Sequence, residues 1–353
     1  MISKNGNGWA LYNGDCVEVL RGLPDNSVDF SVYSPPFSSL YSYSNSLHDM
    51  GNSKNDADFF VHYGFLIREH MRTMKPGRLV AVHCMNLPTS KQNDGFIGLR
   101  DFRGGIIKAF QDAGFIFHAE VCIWKCPVVA VTRTKALGLL HKQLKKDSAM
   151  SRTGIPDYVV VFRKPGDNET PITHTNDTFP VDEWQKVASP VWMDIRQSKV
   201  LKYTHAREDD DTRHICPLQL EVIERCLKLW SKPGDVVLSP FAGIGSEGAV
   251  SLAMGRRFVG VELKQSYFDV AVSNLENPPA AEDVIADISE HALSEIEHWG
   301  YAKLCAERDA LSTRIKTIDR KREAEAKAEI LDLLKPAPDK PESPNESDIT
   351  DLV

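Results

Sequence analysis

Asp235-Val236-Val237-Leu238-Ser239-Pro240-Phe241-Ala242-Gly243-Ile244-Gly245-Ser246 is an apolar run that ends in a glycine turn. The run reads as a buried strand and the turn as the bend at its carboxyl end. From Gly245 a helical spacing continues to about Met254, Gly255 ends it, and Arg257 to Glu262 reads as a second strand. Strand, Gly243-x-Gly245, helix, strand and a terminal acid together make a nucleoside-binding half of an α/β sheet. Gly243 lets the backbone approach a ligand and Gly245 lets the turn pack closely. Glu262 is placed to accept both hydroxyls of a ribose. The full G-x-G-x-x-G pattern is absent and no Walker Lys-Ser/Thr follows, which disfavours a dinucleotide or ATP. An adenosyl ligand carrying a positive centre suits the turn better.

About two hundred residues upstream, a second apolar run, Val28-Asp29-Phe30-Ser31-Val32-Tyr33, delivers Ser34-Pro35-Pro36-Phe37. Consecutive prolines fix φ and remove N–H donors, leaving carbonyls that can accept from an outside amine. The Ser34 hydroxyl can accept as well. Phe37 offers a ring on which a base can stack, worth roughly 1–3 kcal/mol. That equipment suits the exocyclic NH2 of a flipped-out base. Standing alone, the string also fits a Pro-Pro turn with a core phenylalanine.

Between and around these turns, helical and strand patterns alternate. A short helix spans Cys16 to Arg21. A polar loop from Ser38 to Asp58 includes Tyr41, Tyr43 and His48, residues suited to closing over a base. Helices are expected over 58–74, 103–113, 217–230 and 266–275, and strands over 78–84, 115–124 and 158–162. The pattern predicts an α/β fold with a mostly parallel central sheet. Residues 165–213 read as irregular. Residues 281–334 turn to Ala, Glu, Lys, Arg and Leu at helical spacing, an appended helical extension. Residues 335–353 are rich in proline and acid and read as a disordered tail.

The 353 residues are 42% hydrophobic, enough for a packed core, and no apolar run approaches the ~18–20 residues of a membrane span. Seven irregularly spaced cysteines and no apolar leader segment point to reduced thiols and a cytoplasmic setting. Cys122 and Cys126 have no matching second pair, so no metal site is expected. The formal charge is −7, yet residues 124–164 carry nine lysines and arginines against two aspartates. A basic block in an acidic chain is the footprint of a phosphate-facing surface, and equally of a solvated helix face.

The two turns, in this order, resemble the amino-group DNA methyltransferases that use S-adenosylmethionine, in the permuted order of their β class. The catalytic pattern of that family is Asp/Asn/Ser-Pro-Pro-aromatic, here Ser34-Pro35-Pro36-Phe37. Its cofactor loop is Asp-Pro-Phe-x-Gly-x-Gly-Thr/Ser, here Ser239-Pro240-Phe241-Ala242-Gly243-Ile244-Gly245-Ser246. The likeness extends to Asn13-Gly14-Asp15-Cys16, to Trp192-Met193-Asp194-Ile195 and to His214-Ile215-Cys216-Pro217-Leu218-Gln219, covering about residues 10–275. It implies a Rossmann-like methyltransferase domain over 1–280, with 125–213 as its DNA-contacting insertion.

Asp15, Pro217, Ser239, Pro240, Phe241, Ala242, Gly243, Gly245, Ser246 and Glu262 would then hold S-adenosylmethionine, Asp15 facing the adenine. Ser34, Pro35, Pro36 and Phe37 would carry the transfer. Arg133, Lys135, Lys142, Lys145 and Arg152 would touch the phosphates of double-stranded DNA. Serine at the head of the catalytic string leans toward N4-cytosine over N6-adenine. C5 chemistry needs a Pro-Cys nucleophile, and the chain has none. Ser239 stands where the family carries aspartate, which keeps a catalytically decayed DNA-binding protein among the readings. Methylation of an RNA amine or a protein amide is a further alternative. A homodimer and a cognate restriction endonuclease are partners this reading leaves open.

Overall fold

The computed structural model describes residues 2–38, 49–134, 137–201 and 217–278. The chain divides into two compact units, Met1–Asp287 and Ile288–Val353, and the described residues all lie in the first. The expected helical extension and acidic tail fall outside them, as do Tyr41, Tyr43, His48 and residues 202–216.

In chain order the elements are β1 (Ile2–Gly6), β2 (Trp9–Asn13), α1 (Cys16–Arg21), β3 (Val28–Tyr33), α2 (Asp56–Thr73) and β4 (Met74–Met85). Next come β5 (Leu87–Pro88), α3 (Lys91–Asp94), β6 (Leu99–Arg100), α4 (Phe102–Asp112), β7 (Ile116–Ile123), α5 (Pro127–Thr134) and α6 (His141–Leu144). The rest are β8 (Asp157–Arg163), α7 (Val181–Val187), β9 (Val191–Trp192), α8 (Leu220–Trp230), β10 (Val236–Ser239), α9 (Ser246–Ala253), β11 (Arg257–Glu262) and α10 (Gln265–Glu276). Local chemistry sets several starts. Asp15, Asn55 and Asp101 cap α1, α2 and α4 by accepting a backbone N–H through their side chains. In α2, Asp56 and Asp58 occupy the first turn and Arg72 the last, in favourable register with the helix dipole.

Nine strands form one sheet in the order β1-β2-β11-β10-β3-β4-β8-β7-β9. β2, β11, β10, β3 and β4 run parallel, β1 and β8 oppose them, and β7 and β9 share the central direction. Every residue of β3 is buried, as expected of a parallel strand covered on both faces. Phe30 and Val32 join a core built with α8, α9 and α10. Tyr33 joins a second core built with α1, α2 and α4. Chain connections leave β3 and β10 in opposite directions, β3 through α2 to β4 and β10 through α9 to β11. The carboxyl ends of these two neighbours therefore border a crevice at the switch point of the sheet, where α/β folds bind ligands.

The opposite ends of the same strands are pinned by charge. Arg78 of β4 is 1% exposed, donates from Nε to the Asp29 carbonyl of β3 at 2.7 Å, and pairs through Nη2 with Asp235 at the start of β10. Asp29 Oδ2 accepts the Val236 N–H at 2.9 Å, and its Oδ1 takes Lys75 Nζ at 2.6 Å.

Three features depart from the sequence expectations. The β1–β2 hairpin was unmarked because β1 is exposed throughout and carries no apolar alternation. The 165–213 stretch, read as irregular, holds α7 and β9. β4 begins at Met74 and takes in Lys75-Pro76-Gly77, ahead of the strand expected over 78–84.

Arg78→Met should lower the unfolding free energy by about 3–5 kcal/mol, because it leaves two buried carboxylates short of a partner. Lys108→Ala, which cuts an exposed pair with Asp112, should cost no more than about 1 kcal/mol. Urea unfolding of both variants checks this, and an equal cost would refute the pinning role.

Candidate active site

The two turns named from the sequence stand side by side. β3 and β10 pair in parallel with Phe30 opposite Val237 and Ser31 opposite Leu238. Ser31 Oγ donates to the Leu238 carbonyl at 2.9 Å. At the carboxyl edge the Tyr33 and Phe241 rings meet with centroids 5.7 Å apart. Ser34-Pro35-Pro36-Phe37 and Ser239 to Ser246 thus leave one sheet edge from adjacent strands.

Within the glycine turn, Gly243 and Gly245 hold φ of +53° and +88°, a region side chains disfavour. A Cβ on Gly245 would lie 3.4 Å from Ala271, whereas one on Gly243 would meet none of the described residues within 4 Å. Gly243 is therefore the open face of the cradle and Gly245 its packed one. Glu262 knits the turn to the next strand end: Oε2 accepts Gly243 N–H at 2.8 Å and Oε1 accepts Lys264 N–H at 2.9 Å. Burial raises its carboxyl to about 7, with the Asp49 charge adding to the rise and the two amides opposing it.

The neighbouring strand end carries Asn13, whose Nδ2 donates to the Glu262 and Leu263 carbonyls at 3.0 and 3.1 Å. Asp15, half-buried beside it, accepts Glu18 N–H at 3.0 Å. Pro240, Ala242 and Ser246 are buried, and Phe241 is half-buried against Tyr33. Ser239 is fully buried, and its Oγ has no hydrogen-bond partner among the described residues. Pro217 is half-buried on the approach to α8, which packs on α9.

Two acids here were missed. Asp49 is buried within the 38–58 segment, and its charge reaches Glu262. Glu247, buried in the first turn of α9, is raised to about 8 by burial, with Glu262 a smaller contributor. Neither sits in a motif; an acid directly after the glycine turn was the available signal for Glu247.

At the Ser34–Phe37 turn Pro35 and Pro36 are buried, and Ser34 and Phe37 are half-buried. The Pro36 carbonyl accepts Ser38 N–H at 3.0 Å, which closes the turn. Ser38 holds a φ of +53° and is anchored by Oγ to Asp56 Oδ1 at 2.6 Å. Phe37 packs edge-on against Phe102 at 6.1 Å.

Behind Ser34 lies a chain of polar groups that no motif marked. Ser34 Oγ is 3.2 Å from His83 Nδ1, His83 Nε2 is 3.1 Å from Asp157 Oδ2, and Lys125 Nζ is 2.5 Å from that same oxygen. Burial pushes the Asp157 carboxyl up, but Lys125 and His83 outweigh it and hold it below the usual range. A histidine and an aspartate at the ends of otherwise apolar strands were the available signal.

The basic block divides in two. Lys125 is committed to Asp157, and Lys164 donates to Asn26 Oδ1 at 2.7 Å and the Met74 carbonyl at 2.8 Å. Lys142 and Lys145 are exposed. Arg152 is half-buried, donating to the Thr153 carbonyl at 3.1 Å, and burial lowers its pKa. Arg133 lies in α5, and Lys135 falls outside the described residues. The segment between Ile123 and Asp157 leaves from and returns to the catalytic edge, with the Lys125–Asp157 pair closing its base.

A family profile described as DNA methylase, for N6 and N4 enzymes, matches residues 28–273. The DNA adenine methyltransferase YhdJ of Escherichia coli K12 is 26% identical over 270 residues, covering 75% of this chain and 82% of that protein. The structure of TTHA0409 from Thermus thermophilus, complexed with S-adenosyl-L-methionine, shares the fold at a TM-score of 0.56 and 24% identity, over 76% of this chain and 96% of that one. The cytosine-N4-specific PvuII DNA methyltransferase shares it at 0.56 and 16% identity, over 78% and 90%.

Glu262 near 7 and Glu247 near 8 both sit above the ordinary glutamate value of 4.5. Between pH 4.5 and 8 the folded chain holds protons that the unfolded chain has released, so these groups stabilise at low pH and lose that contribution as pH rises. Thermal unfolding of unliganded Glu262→Gln across about pH 5–8 should show a shallower decline than the parent. Parallel curves would contradict the assignment.

Proposed function

This chain belongs to the DNA methylase family, and on that premise we propose that it moves the methyl group of S-adenosylmethionine onto the exocyclic amine of a flipped base in double-stranded DNA, cytosine N4 ahead of adenine N6. The observation that carries the reading is the meeting of the two turns at the Tyr33–Phe241 contact.

The residues present fit an adenosyl group. The cradle is open at Gly243 and flanked by the Glu262 carboxyl, with Asp15 following the neighbouring strand. The orphan Ser239 Oγ offers a polar atom where the family carries a carboxylate. A sulfonium ligand is positive, and Glu262 and Glu247, balanced near neutrality, can ionise beside it. Bound there, the cofactor supplies a methyl carbon activated by its sulfonium.

The chain's own residues hold the amine. Ser34 Oγ and the Pro35 carbonyl each accept one N–H, which turns the nitrogen lone pair toward the cradle. Phe37 lines the side of the base. Orientation of this kind replaces a covalent step. Cys16, Cys84 and Cys226 are buried with thiols raised by burial, unsuited to nucleophilic attack.

Serine at position 34 and the likeness to the N4-specific PvuII enzyme favour cytosine, whereas the likeness to YhdJ is the argument for adenine. Incubation of duplex DNA with deuteromethyl S-adenosylmethionine, followed by nucleoside mass spectrometry, should return labelled N4-methylcytosine. Labelled N6-methyladenine would reassign the base. No label, with DNA still bound, would mark a decayed scaffold. Ser34→Ala should slow transfer by about 10²-fold if the hydroxyl contacts the reacting amine.

Exposed Lys142 and Lys145 place positive charge on the segment that rises from the catalytic edge. Substituting both by alanine should weaken duplex binding similarly across sequences and reduce the salt slope by about one to two. An unchanged slope in filter binding would move the phosphate contacts elsewhere.

A further inference from the structure

We propose that His83, oriented by Asp157 and Lys125, is a positioning residue that draws the Ser34 hydroxyl proton to its Nδ1, freeing the Ser34 lone pairs for the target amine and giving the amine proton a route out. The inference rests on Ser34 being the amine acceptor and adds a group that does not itself touch the base.

Asp157 is 2% exposed, and Lys125 lies 2.5 Å from its Oδ2. An ionised carboxylate only accepts, so the 3.1 Å contact to His83 Nε2 requires a proton on Nε2. In a neutral imidazole that leaves Nδ1 as a lone pair, and the 3.2 Å contact to Ser34 Oγ is then a hydrogen bond donated by serine. The alternative acceptor for that hydroxyl, the His83 carbonyl, is further away at 3.4 Å. With its one proton committed to His83, Ser34 meets the amine only as an acceptor.

The imidazole is held on each side. His83 is buried, its ring 6.4 Å from the Phe37 ring and tilted to it. The charged groups facing it are Asp157 at the start of β8 and Lys125 just after β7; from β3 comes the neutral Ser34. Next to it on β4, Cys84 is buried in the second core, and beyond that Arg103 of α4 is paired with Glu120 of β7 at 2.6 Å.

The proton balance follows. When the amine nitrogen bonds the donated methyl carbon, whose bond to sulfur breaks with its electron pair left on sulfur, the nitrogen becomes cationic and must lose one proton. That proton passes to Ser34 Oγ as the serine proton passes to His83 Nδ1. The N–H electron pair stays on nitrogen, serine ends as it began, and the imidazolium stands against the Asp157 carboxylate until it releases the proton to solvent. The arrangement has the order of a Ser-His-Asp triad, but serine conducts a proton and forms no bond to carbon.

The test begins with the parent protein. Long-range 1H–15N spectra of histidine-labelled, unliganded protein at neutral pH, with His83 assigned by its disappearance in His83→Asn, should show a protonated Nε2 and a bare Nδ1. Asp157→Asn should scramble that tautomer. His83→Asn keeps an acceptor near the place of Nδ1 without a base. It should slow single-turnover transfer about 10²-fold and remove the acid limb of the pH–rate profile, with duplex affinity unchanged. A protonated Nδ1 in the parent, or a His83→Asn enzyme that keeps both rate and acid limb, overturns the relay. Ser34→Ala separates the two layers. If it transfers as fast as the parent, the reading of Ser34 fails and the relay with it. If it is slow while His83→Asn is not, only the relay fails.

Discussion

The buried charges Asp29, Arg78 and Asp235 hold together the ends of β3, β4 and β10 that lie farthest from the chemistry. Everything at the working edge depends on those three strands keeping one register. In a parallel sheet, a slip of one residue would turn each side chain to the other face. Phe30 and Val32 would exchange places with Ser31 and Tyr33, and the Tyr33–Phe241 contact between the two turns would be lost. An arginine of β4 that reaches across to Asp29 of β3 and to Asp235 just ahead of β10 specifies the register in a way that apolar burial alone does not. The core contributes most of the stability, and the clamp decides which turns face one another.

The edge itself uses carboxylic acids in opposite protonation states. Asp157 is buried but sits against Lys125 and His83, and so stays a carboxylate. Glu262 and Glu247 are buried with no such cation against them among the described residues, and their carboxyls rise toward neutrality. Environments that push acids apart in this way mark division of labour within a site. The ionised acid fixes an imidazole, while Glu262 ties down the glycine turn through Gly243 N–H and Glu247 lies in the first turn of the helix that follows it.

Much of this was legible in the sequence because it is carried by rules of short range. Apolar runs marked β3 and β10, glycine spacing marked the left-handed bend after β10, and the Pro-Pro string marked the turn that leaves β3 beside it. The acid closing β11 was found through its place at a strand end. What escaped depends on pairing across the sheet. His83 and Asp157 are 74 residues apart and gain meaning only because β4 and β8 pair antiparallel, with Met85 opposite Asp157. The β1–β2 hairpin escaped for a different reason, since a wholly exposed edge strand needs no apolar pattern. Two cations of the basic block, Lys125 and Lys164, proved to be structural, a distinction that charge counting cannot make.

The glycine turn and the Ser34–Pro35 turn leave one sheet edge from adjacent strands, and the proposed transfer needs both. A co-crystal structure with S-adenosylhomocysteine tests this most directly. The account predicts the adenosine over Gly243 with its ribose hydroxyls on Glu262, and the sulfur on the side of the cradle that faces Ser34 and the Pro35 carbonyl. An adenosine bound elsewhere, or a sulfur turned away from that turn, would contradict it.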